Sequence, residues 1–305
     1  MTWAVAEGGT KTTNNLISKL IGIASGSFLG AVVAYLVTAS FQAAGAFVGS
    51  RLAKISLKVS RQQLWRCILF GTIATMSGWV VVWVFTYPGS SVGVVAFIAT
   101  MSIIPGALID WLFFGHPMRP RQWLGIGLFL LAGYMILNFP PLSLLAQPPT
   151  WVMIAGLIPL FMALNEALTQ AQADQTMARL HPLANTFWVG TTSVVVSIAA
   201  ALAVVWRVGG QLDFPVIYWL GAAAKGLVLV GMISFKLLSY QGGGTIAIKK
   251  LVMQGSYLIS AMLLGVLFYA DESLTLGKVM AVVVYFVAFS LTDNNTWSYL
   301  RRRSF

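Results

Sequence analysis

The chain has 305 residues, of which 58% are hydrophobic and 9% are charged, and its formal net charge is +11. Because soluble domains carry about 25% charged residues, this composition excludes an ordinary soluble domain and indicates a polytopic membrane protein. The positive charge does not indicate nucleic-acid binding, since Lys and Arg cluster between apolar stretches, where they direct topology. The single cysteine, Cys67, excludes an intramolecular disulfide framework.

Residues 1–15 are polar and lack the charged-then-apolar layout of a cleavable signal peptide. We expect them to form a cytoplasmic tail that is disordered or lies on the surface. From residue 16 onward, apolar stretches of about 20 residues, the length of a membrane span, follow one another. Ten transmembrane helices are predicted, at 16–36, 39–57, 64–87, 92–114, 122–139, 151–173, 183–207, 215–240, 245–270 and 278–292.

The distribution of basic residues between the predicted spans indicates the topology. Placing the N-terminus in the cytoplasm assigns ten basic residues to inner loops and to the C-terminal tail, whereas the outer loops hold only Arg207 and Lys278. This excess of basic residues on the inner side predicts that both termini are cytoplasmic. We expect a multi-pass protein of the plasma (inner) membrane.

Five spans in each half place the halves in opposite orientations. Segment 113–117 leads into residue 123, and segment 268–272 leads into residue 279 at a similar offset, which is a weak internal similarity. The predicted fold is an all-α membrane protein with two inverted five-helix repeats, 16–139 and 151–292. Residues 140–150 form an extracytoplasmic linker, and residues 293–305 form a basic cytoplasmic tail. Such repeats are typical of transporters that bind substrate at the interface of the halves.

Four short motifs resemble those of EamA-type members of the drug/metabolite transporter superfamily. Segment 25–28 (SGSF) resembles the family's Trp-Gly-Ser, 50–53 (SRLA) its Arg-x-x-Ala, and 272–275 (ESLT) its Glu-x-Leu-Thr, while Pro105 matches the proline of the fourth span. The chain departs from the family at Ser25, which replaces Trp, at His116, which replaces a glutamate, and in a ninth span without proline. The resemblance covers nearly the whole chain and implies secondary transport of a small organic metabolite.

The ninth span begins with two adjacent lysines, Lys249 and Lys250. Segment 244–251 (GTIAIKKL) resembles Gly-Ala-Leu-Asn-Lys of nucleotide-sugar transporters and a Lys-Arg pair of triose-phosphate translocators, which implies an anionic substrate. Lys250, Gln254 and Tyr257 share one helical face, and such a polar stripe should face a cavity rather than lipid. Lys249 could instead extend to the membrane interface.

Four further ionisable residues lie within predicted spans, and two of them, Lys236 and Asp110, lie near the cytoplasmic ends. Lys225, near mid-membrane, binds substrate or forms a buried ion pair, whereas Lys236 is expected to extend to the cytoplasmic interface. Glu166 accepts a coupling proton or is the counter-ion of a lysine on span eight or nine. Asp110 and Lys236 are the candidates for a gate or an ion pair.

Two tryptophans, Trp79 and Trp188, are candidate substrate contacts that could stack on a base or sugar, and simple packing is the alternative. No enzyme signature occurs: His116 and His181 lack a metal-ligand cluster, and residues 242–244 lack the Lys-Ser/Thr of a phosphate-binding loop. We therefore expect no enzyme activity, cofactor or metal. The expected partners are a small-molecule substrate and membrane lipid, with a homodimer left open and no nucleic acid.

Three functions remain open from the sequence. The first is a secondary active transporter of an anionic metabolite working by alternating access. The second is an exporter of amino acids or drug-like compounds, in which the lysines pair with Asp110 and Glu166. The third is a membrane scaffold or enzyme.

Overall fold

The computed structural model describes residues 2–102, 104–105, 120–136, 148–173, 180–209, 212–241, 246–270 and 272–292. Within these ranges, the side chains of 167, 170–173, 208, 240–241, 246–252 and 292 are outside the description. The described chain is helical and contains no strand. The helices are α1 (Thr2–Ser25), α2 (Phe28–Leu52), α3 (Arg61–Val84), α4 (Val92–Thr100), α5 (Pro120–Ile136), α6 (Thr150–Ala155), α7 (Ile158–Ala173), α8 (Pro182–Val208), α9 (Val216–Gln241), α10 (Ile246–Phe268) and α11 (Leu276–Thr292).

Four of the described helices are long and apolar enough to cross a membrane. They lie at Phe28–Leu52, Arg61–Val84, Pro182–Arg207 and Val216–Ser239. Shorter apolar helices lie at Thr150–Glu166, Met253–Phe268 and Leu276–Leu291. The prediction of an all-α membrane protein is confirmed at this level.

The N-terminal segment differs from the prediction. Thr2–Ser25 is one continuous helix, and Glu7, Lys11 and Asn15 on it are buried. The expected surface tail at 1–15 is therefore wrong, because these polar side chains find partners inside the bundle instead of water.

The predicted first two spans, 16–36 and 39–57, are also wrong in their bounds. The chain turns at Gly26, whose φ of 60° lies in the left-handed region that glycine adopts without strain. Ser27 then caps α2, because its side chain accepts a hydrogen bond from the amide of Gly30 at 3.0 Å. The first helix thus ends at Ser25, and the second begins well before residue 39.

The later predicted spans correspond more closely to described helices. Spans 64–87, 183–207, 215–240, 245–270 and 278–292 match α3, α8, α9, α10 and α11 to within a few residues. Span 151–173 is divided into α6 and α7, because Pro159 has no amide proton to donate to the carbonyl of Ala155. The distal part of span 92–114, the linker at 140–147 and the tail at 293–305 lie outside the described residues.

Helices from the two halves of the chain pack against each other throughout the bundle. Helix α1 packs on α9 and α10, α2 on α8 and α9, α3 on α7 and α8, and α4 on α10 and α7, while α5 packs on α11. The α2–α9 contact is close at Gly226, where an added Cβ would collide with the carbonyl oxygen of Thr38. Small residues of this kind allow membrane helices to approach backbone to backbone.

Candidate functional site

A cavity lies at the centre of the bundle and is lined by residues of α1, α2, α3, α4, α7, α9 and α10. Its volume is about 100 Å³. The polar lining includes Lys11, Asn15, Asn165, Lys225 and Tyr257. Both halves of the chain therefore contribute to one central space, which is a suitable place for a small-molecule site.

Lys225 is the side chain in this cavity whose charge has least compensation. It is 1% exposed, and its Nζ has no hydrogen-bond partner among the described residues. Its described contact is the ring of Tyr35, whose centroid lies 5.4 Å from Nζ. A cation over an aromatic face gains about 2 kcal/mol when desolvated, less than the roughly 2.5–3.5 kcal/mol that a charge costs at the centre of a membrane helix.

A second feature is a group of four paired charges, which we call the proximal cluster because it lies toward the end of the bundle at which α1 begins. It consists of Glu7, Lys11, Glu166 and Lys236. Lys11 Nζ lies 2.9 Å from Glu7 Oε1 and 4.0 Å from Glu166 Oε1, and Lys236 Nζ lies 3.2 Å from Glu166 Oε1. Ser239 donates to Glu7 Oε2 at 3.2 Å. The cluster joins α1, α7 and α9 and is neutral in sum.

The position of Lys236 differs from the expectation that it extends to the interface. The residue is 6% exposed and lies against Glu166, because Glu166 on α7 offers it a carboxylate within the bundle. Of the two alternatives for Glu166, the structure shows a counter-ion of a lysine on span eight, and it adds Lys11 as a second neighbour.

Replacement of Lys236 by Met is expected to destabilise the folded protein by about 3–5 kcal/mol, because it breaks the buried ion pair with Glu166. The additional replacement of Glu166 by Leu should recover part of this loss, since the buried carboxylate is then removed together with its partner. Thermal unfolding of the detergent-solubilised variants measures both effects. Equal stability of Lys236→Met and the unaltered protein would show that the ion pair contributes nothing.

A third feature, which we call the distal cluster, lies toward the other end of α1 and consists of Lys19, Ser91 and Glu272. Lys19 Nζ lies 2.9 Å from Glu272 Oε1, and both side chains are 2% exposed. Glu272 Oε1 also accepts the amide proton of Val92 at 2.7 Å, and Oε2 accepts from Ser91 Oγ at 2.8 Å. The carboxylate thereby satisfies the free amide at the N-terminus of α4.

The predicted polar stripe of the ninth span is divided. Tyr257 lines the cavity and accepts a hydrogen bond from Asn15 Nδ2. Gln254 is buried, but its Oε1 accepts from Tyr285 Oη at 2.9 Å, so the side chain is held against α11. The side chains of Lys249 and Lys250 lie outside the described residues, as does Asp110.

The two tryptophans predicted as substrate contacts pack within the bundle. Trp79 lies edge-on to Phe28, with ring centroids 6.5 Å apart. Trp188 donates its indole proton to the carbonyl of Leu57 at 2.9 Å and lies edge-on to Phe187. Neither lines the cavity, and a substrate contact by either residue stays a prediction.

Sequence reasoning missed the contribution of α1 to both clusters and to the cavity. Glu7, Lys11, Asn15 and Lys19 recur every fourth residue, a spacing that places side chains on one face of a helix. Because residues 1–15 were interpreted as a tail, this polar stripe was interrupted at residue 15. Extending the helical pattern to the N-terminus would have revealed it.

Groups of three or more His, Cys, Asp or Glu placed to hold a metal ion are absent from the described residues. No protein-family model matches the chain, and no curated protein matches it. Among solved structures, 26 chains match. One of them, described as "Crystal structure of protein", aligns over 94% of this chain and 97% of its own with a TM-score of 0.57 and 14% identity. At that identity the likeness shows a shared fold alone.

Proposed function

We propose that the protein is a secondary transporter that moves a small organic anion across the plasma (inner) membrane by alternating access. The observation that carries this proposal is the buried ammonium group of Lys225, which faces the central cavity without a hydrogen-bond partner among the described residues. Intramembrane charges of this kind mark substrate or ion pathways. A bound anion would supply the missing partner.

We infer the preference for an anion by comparing Lys225 with three other buried lysines. Lys11, Lys19 and Lys236 each lie within 4.0 Å of a carboxylate. These three are compensated by the protein itself, whereas Lys225 is not. An anionic solute would therefore gain more at Lys225 than at any of the paired lysines, since it displaces no protein carboxylate there.

The pairing of helices supports the inverted repeat that alternating access requires. We number the spans one to ten in chain order and count α6 and α7 together as span six, so that α8, α9, α10 and α11 are spans seven to ten. A two-fold relation between the halves exchanges each span with the span five places away. Under this exchange the α1–α9 contact corresponds to α7–α3, α1–α10 to α7–α4, and α2–α9 to α8–α3. The same exchange leaves the contacts α2–α8, α4–α10 and α5–α11 unchanged. Such an exchange of contacts is what a two-fold relation between five-helix halves produces, with both termini on the cytoplasmic side as the charge distribution predicts.

Both ends of the cavity region carry charged clusters that join the halves. The proximal cluster links α1 of the first half to α7 and α9 of the second, and the distal cluster links α1 and α4 to the segment after α10. Alternating access needs contacts that close one end while the other opens. We assign these roles to the two clusters.

A second candidate function is an exporter of amino acids or drug-like compounds. The three lysine–carboxylate pairs favour it, because they match the structural or gating role that this alternative gives to intramembrane lysines. The apolar wall of the cavity would then bind the solute. A scaffold or enzyme is the third option. Of the three functions, it is the one that the central cavity supports least.

Uptake into proteoliposomes tests the proposed function. The full chain is reconstituted and offered radiolabelled organic acids, phosphorylated sugars, nucleotides, amino acids and organic cations. We expect anions to enter, and we expect Lys225→Gln to reduce their uptake by about tenfold or more, the effect of about 1.4 kcal/mol in binding. Ser197→Ala is the matched control, because the buried hydroxyl of Ser197 has no partner in the described part of the chain and lies outside the cavity lining. Uptake of amino acids or cations without anions would contradict the proposal.

A further inference from the structure

Three buried polar atoms without a hydrogen-bond partner among the described residues belong to residues that line the central cavity. They are Lys225 Nζ, Asn14 Oδ1 and Asn165 Oδ1. They come from α9, α1 and α7. Buried polar groups in folded proteins nearly always have partners, so three such groups on three helices around one cavity indicate a ligand that completes them.

The three atoms make different demands on that ligand. The ammonium of Lys225 can only donate hydrogen bonds, whereas the two carbonyl oxygens of the asparagines can only accept them. A plain anion satisfies Lys225 and leaves both asparagine oxygens without donors. An uncharged polyol satisfies the asparagines and leaves Lys225 without a counter-charge.

The charge balance limits the ligand further. The proximal cluster, whose Lys11 and Lys236 line the same cavity, contains two acids and two bases and is neutral in sum. Lys225 therefore leaves the described cavity wall with one uncompensated positive charge. One negative charge balances it, whereas a phosphate dianion would leave an excess negative charge in a poorly solvated space.

We propose that the cavity selects hydroxylated monocarboxylates. The carboxylate binds Lys225, and hydroxyl groups of the same molecule donate to Asn14 and Asn165. A zwitterionic amino acid also offers donors, but its ammonium leaves the charge of Lys225 uncompensated. This assignment of substrate class rests on the proposed transport function and goes beyond it by excluding dianions, zwitterions and acids without hydroxyl groups.

Binding to the purified full chain in lipid nanodiscs tests the assignment through two matched ligand series. The three-carbon series is glycerate, propionate, glycerol, serine and glycerol 3-phosphate. The six-carbon series is gluconate, hexanoate, glucose and glucose 6-phosphate. We expect the hydroxy acid of at least one series to bind about tenfold or more tightly than every other member, since a site built to bond hydroxyl groups discriminates strongly against analogues that lack them.

Binding measurements on substituted proteins test which side chain makes each contact with the ligand. Asn165→Leu and Asn14→Leu should reduce the preference for the hydroxy acid over the matched plain acid, because each removes one acceptor. Lys225→Gln should weaken both acids alike. Ser197→Ala should change none of these affinities, because its hydroxyl lies outside the cavity lining.

The outcomes separate this assignment from the proposed function. If plain acids or phosphates bind as tightly as hydroxy acids and enter proteoliposomes, the substrate class is wrong and anion transport stands. If serine binds more tightly than glycerate, the charge argument is wrong. If no acid binds and no anion enters proteoliposomes, the proposed function fails together with the assignment.

Discussion

Replacement of Lys225 by Met is expected to raise the thermal stability of the ligand-free protein while it abolishes anion binding. The ammonium is buried without a hydrogen-bond partner among the described residues and gains only the contact with the Tyr35 ring, 5.4 Å away. Methionine occupies a similar volume without a charge. We expect a gain of about 0.5–1.5 kcal/mol in the free energy of unfolding, which is the roughly 2.5–3.5 kcal/mol cost of a charge at a helix centre less the about 2 kcal/mol of the aromatic contact.

The control for this prediction lies on the same helix. Lys236→Met makes the same chemical change eleven residues away, but there the lysine contacts Glu166 at 3.2 Å. The two substitutions should therefore shift the unfolding temperature in opposite directions. Detergent-solubilised protein, measured without ligand by thermal unfolding, provides both values under the same conditions.

A loss of stability in Lys225→Met would contradict the prediction. It would show that the ammonium contributes to the fold, and the residue would then be a structural element rather than a ligand site. A gain of stability with unchanged anion binding would also contradict it. A residue whose removal stabilises the protein and abolishes function is typical of sites that retain strain for activity.

The comparison of Lys225 with Lys236 also shows how far the sequence could be used to predict this site. Both lysines were located on the eighth span, and Lys225 was recognised as too deep to reach either interface. The partner of Lys236 could not be selected, because sequence spacing relates residues on one helix, whereas Glu166 reaches Lys236 from another helix. Such contacts depend on how helices pack.

The burial of α1 also depends on contacts between helices that the sequence does not specify. Its polar stripe of Glu7, Lys11, Asn15 and Lys19 is visible in the sequence, but polarity near a terminus favours a surface tail when no partner is known. The carboxylates that pair with Lys11 and Lys19 include Glu166 and Glu272, which lie more than 150 residues further along the chain. Burial of α1 is thus decided by the second half of the protein.

The helix bounds from α8 onward were easier to predict, because they depend on local apolar length. The bounds failed where a single residue interrupts a helix, at Gly26 with its left-handed φ and at Pro159 without an amide proton. The lysine pair at 249 and 250 stays a prediction, since those side chains lie outside the described residues. Lys225 and the asparagines of α1 and α7 now carry the proposed site.

Replacement of Glu272 by Gln is expected to destabilise the folded protein as strongly as Lys236→Met does. The carboxylate accepts from Lys19, Ser91 and the amide of Val92, and it is 2% exposed. A neutral glutamine keeps one acceptor for these donors but removes the negative charge 2.9 Å from the buried ammonium of Lys19. Breaking a buried pair in this way costs about 3–5 kcal/mol.

A double variant distinguishes loss of the ion pair from loss of packing. Adding Lys19→Met to Glu272→Gln removes the ammonium as well as the carboxylate charge, so the double variant should be more stable than Glu272→Gln alone. Ser91→Ala is the control for a single hydrogen bond to the carboxylate, which is worth about 1.5–3 kcal/mol; this variant also loses the side-chain cap of α4. If the double variant is as unstable as the sum of the single ones, Lys19 and Glu272 act independently and the pair has no energetic meaning.

The same variant bears on gating, because Glu272 joins α1 and α4 of the first half to the segment that follows α10. Opening this end of the cavity requires the two halves to separate there, and the Lys19–Glu272 contact opposes that separation. Glu272→Gln should therefore shift the population toward conformations open at the distal end. Hydrogen exchange in nanodiscs measures this shift as faster exchange at the start of α4 than at the proximal end of α9. Uniformly faster exchange at both ends would show general loosening instead, and the distal cluster would then stabilise the fold without acting as a gate.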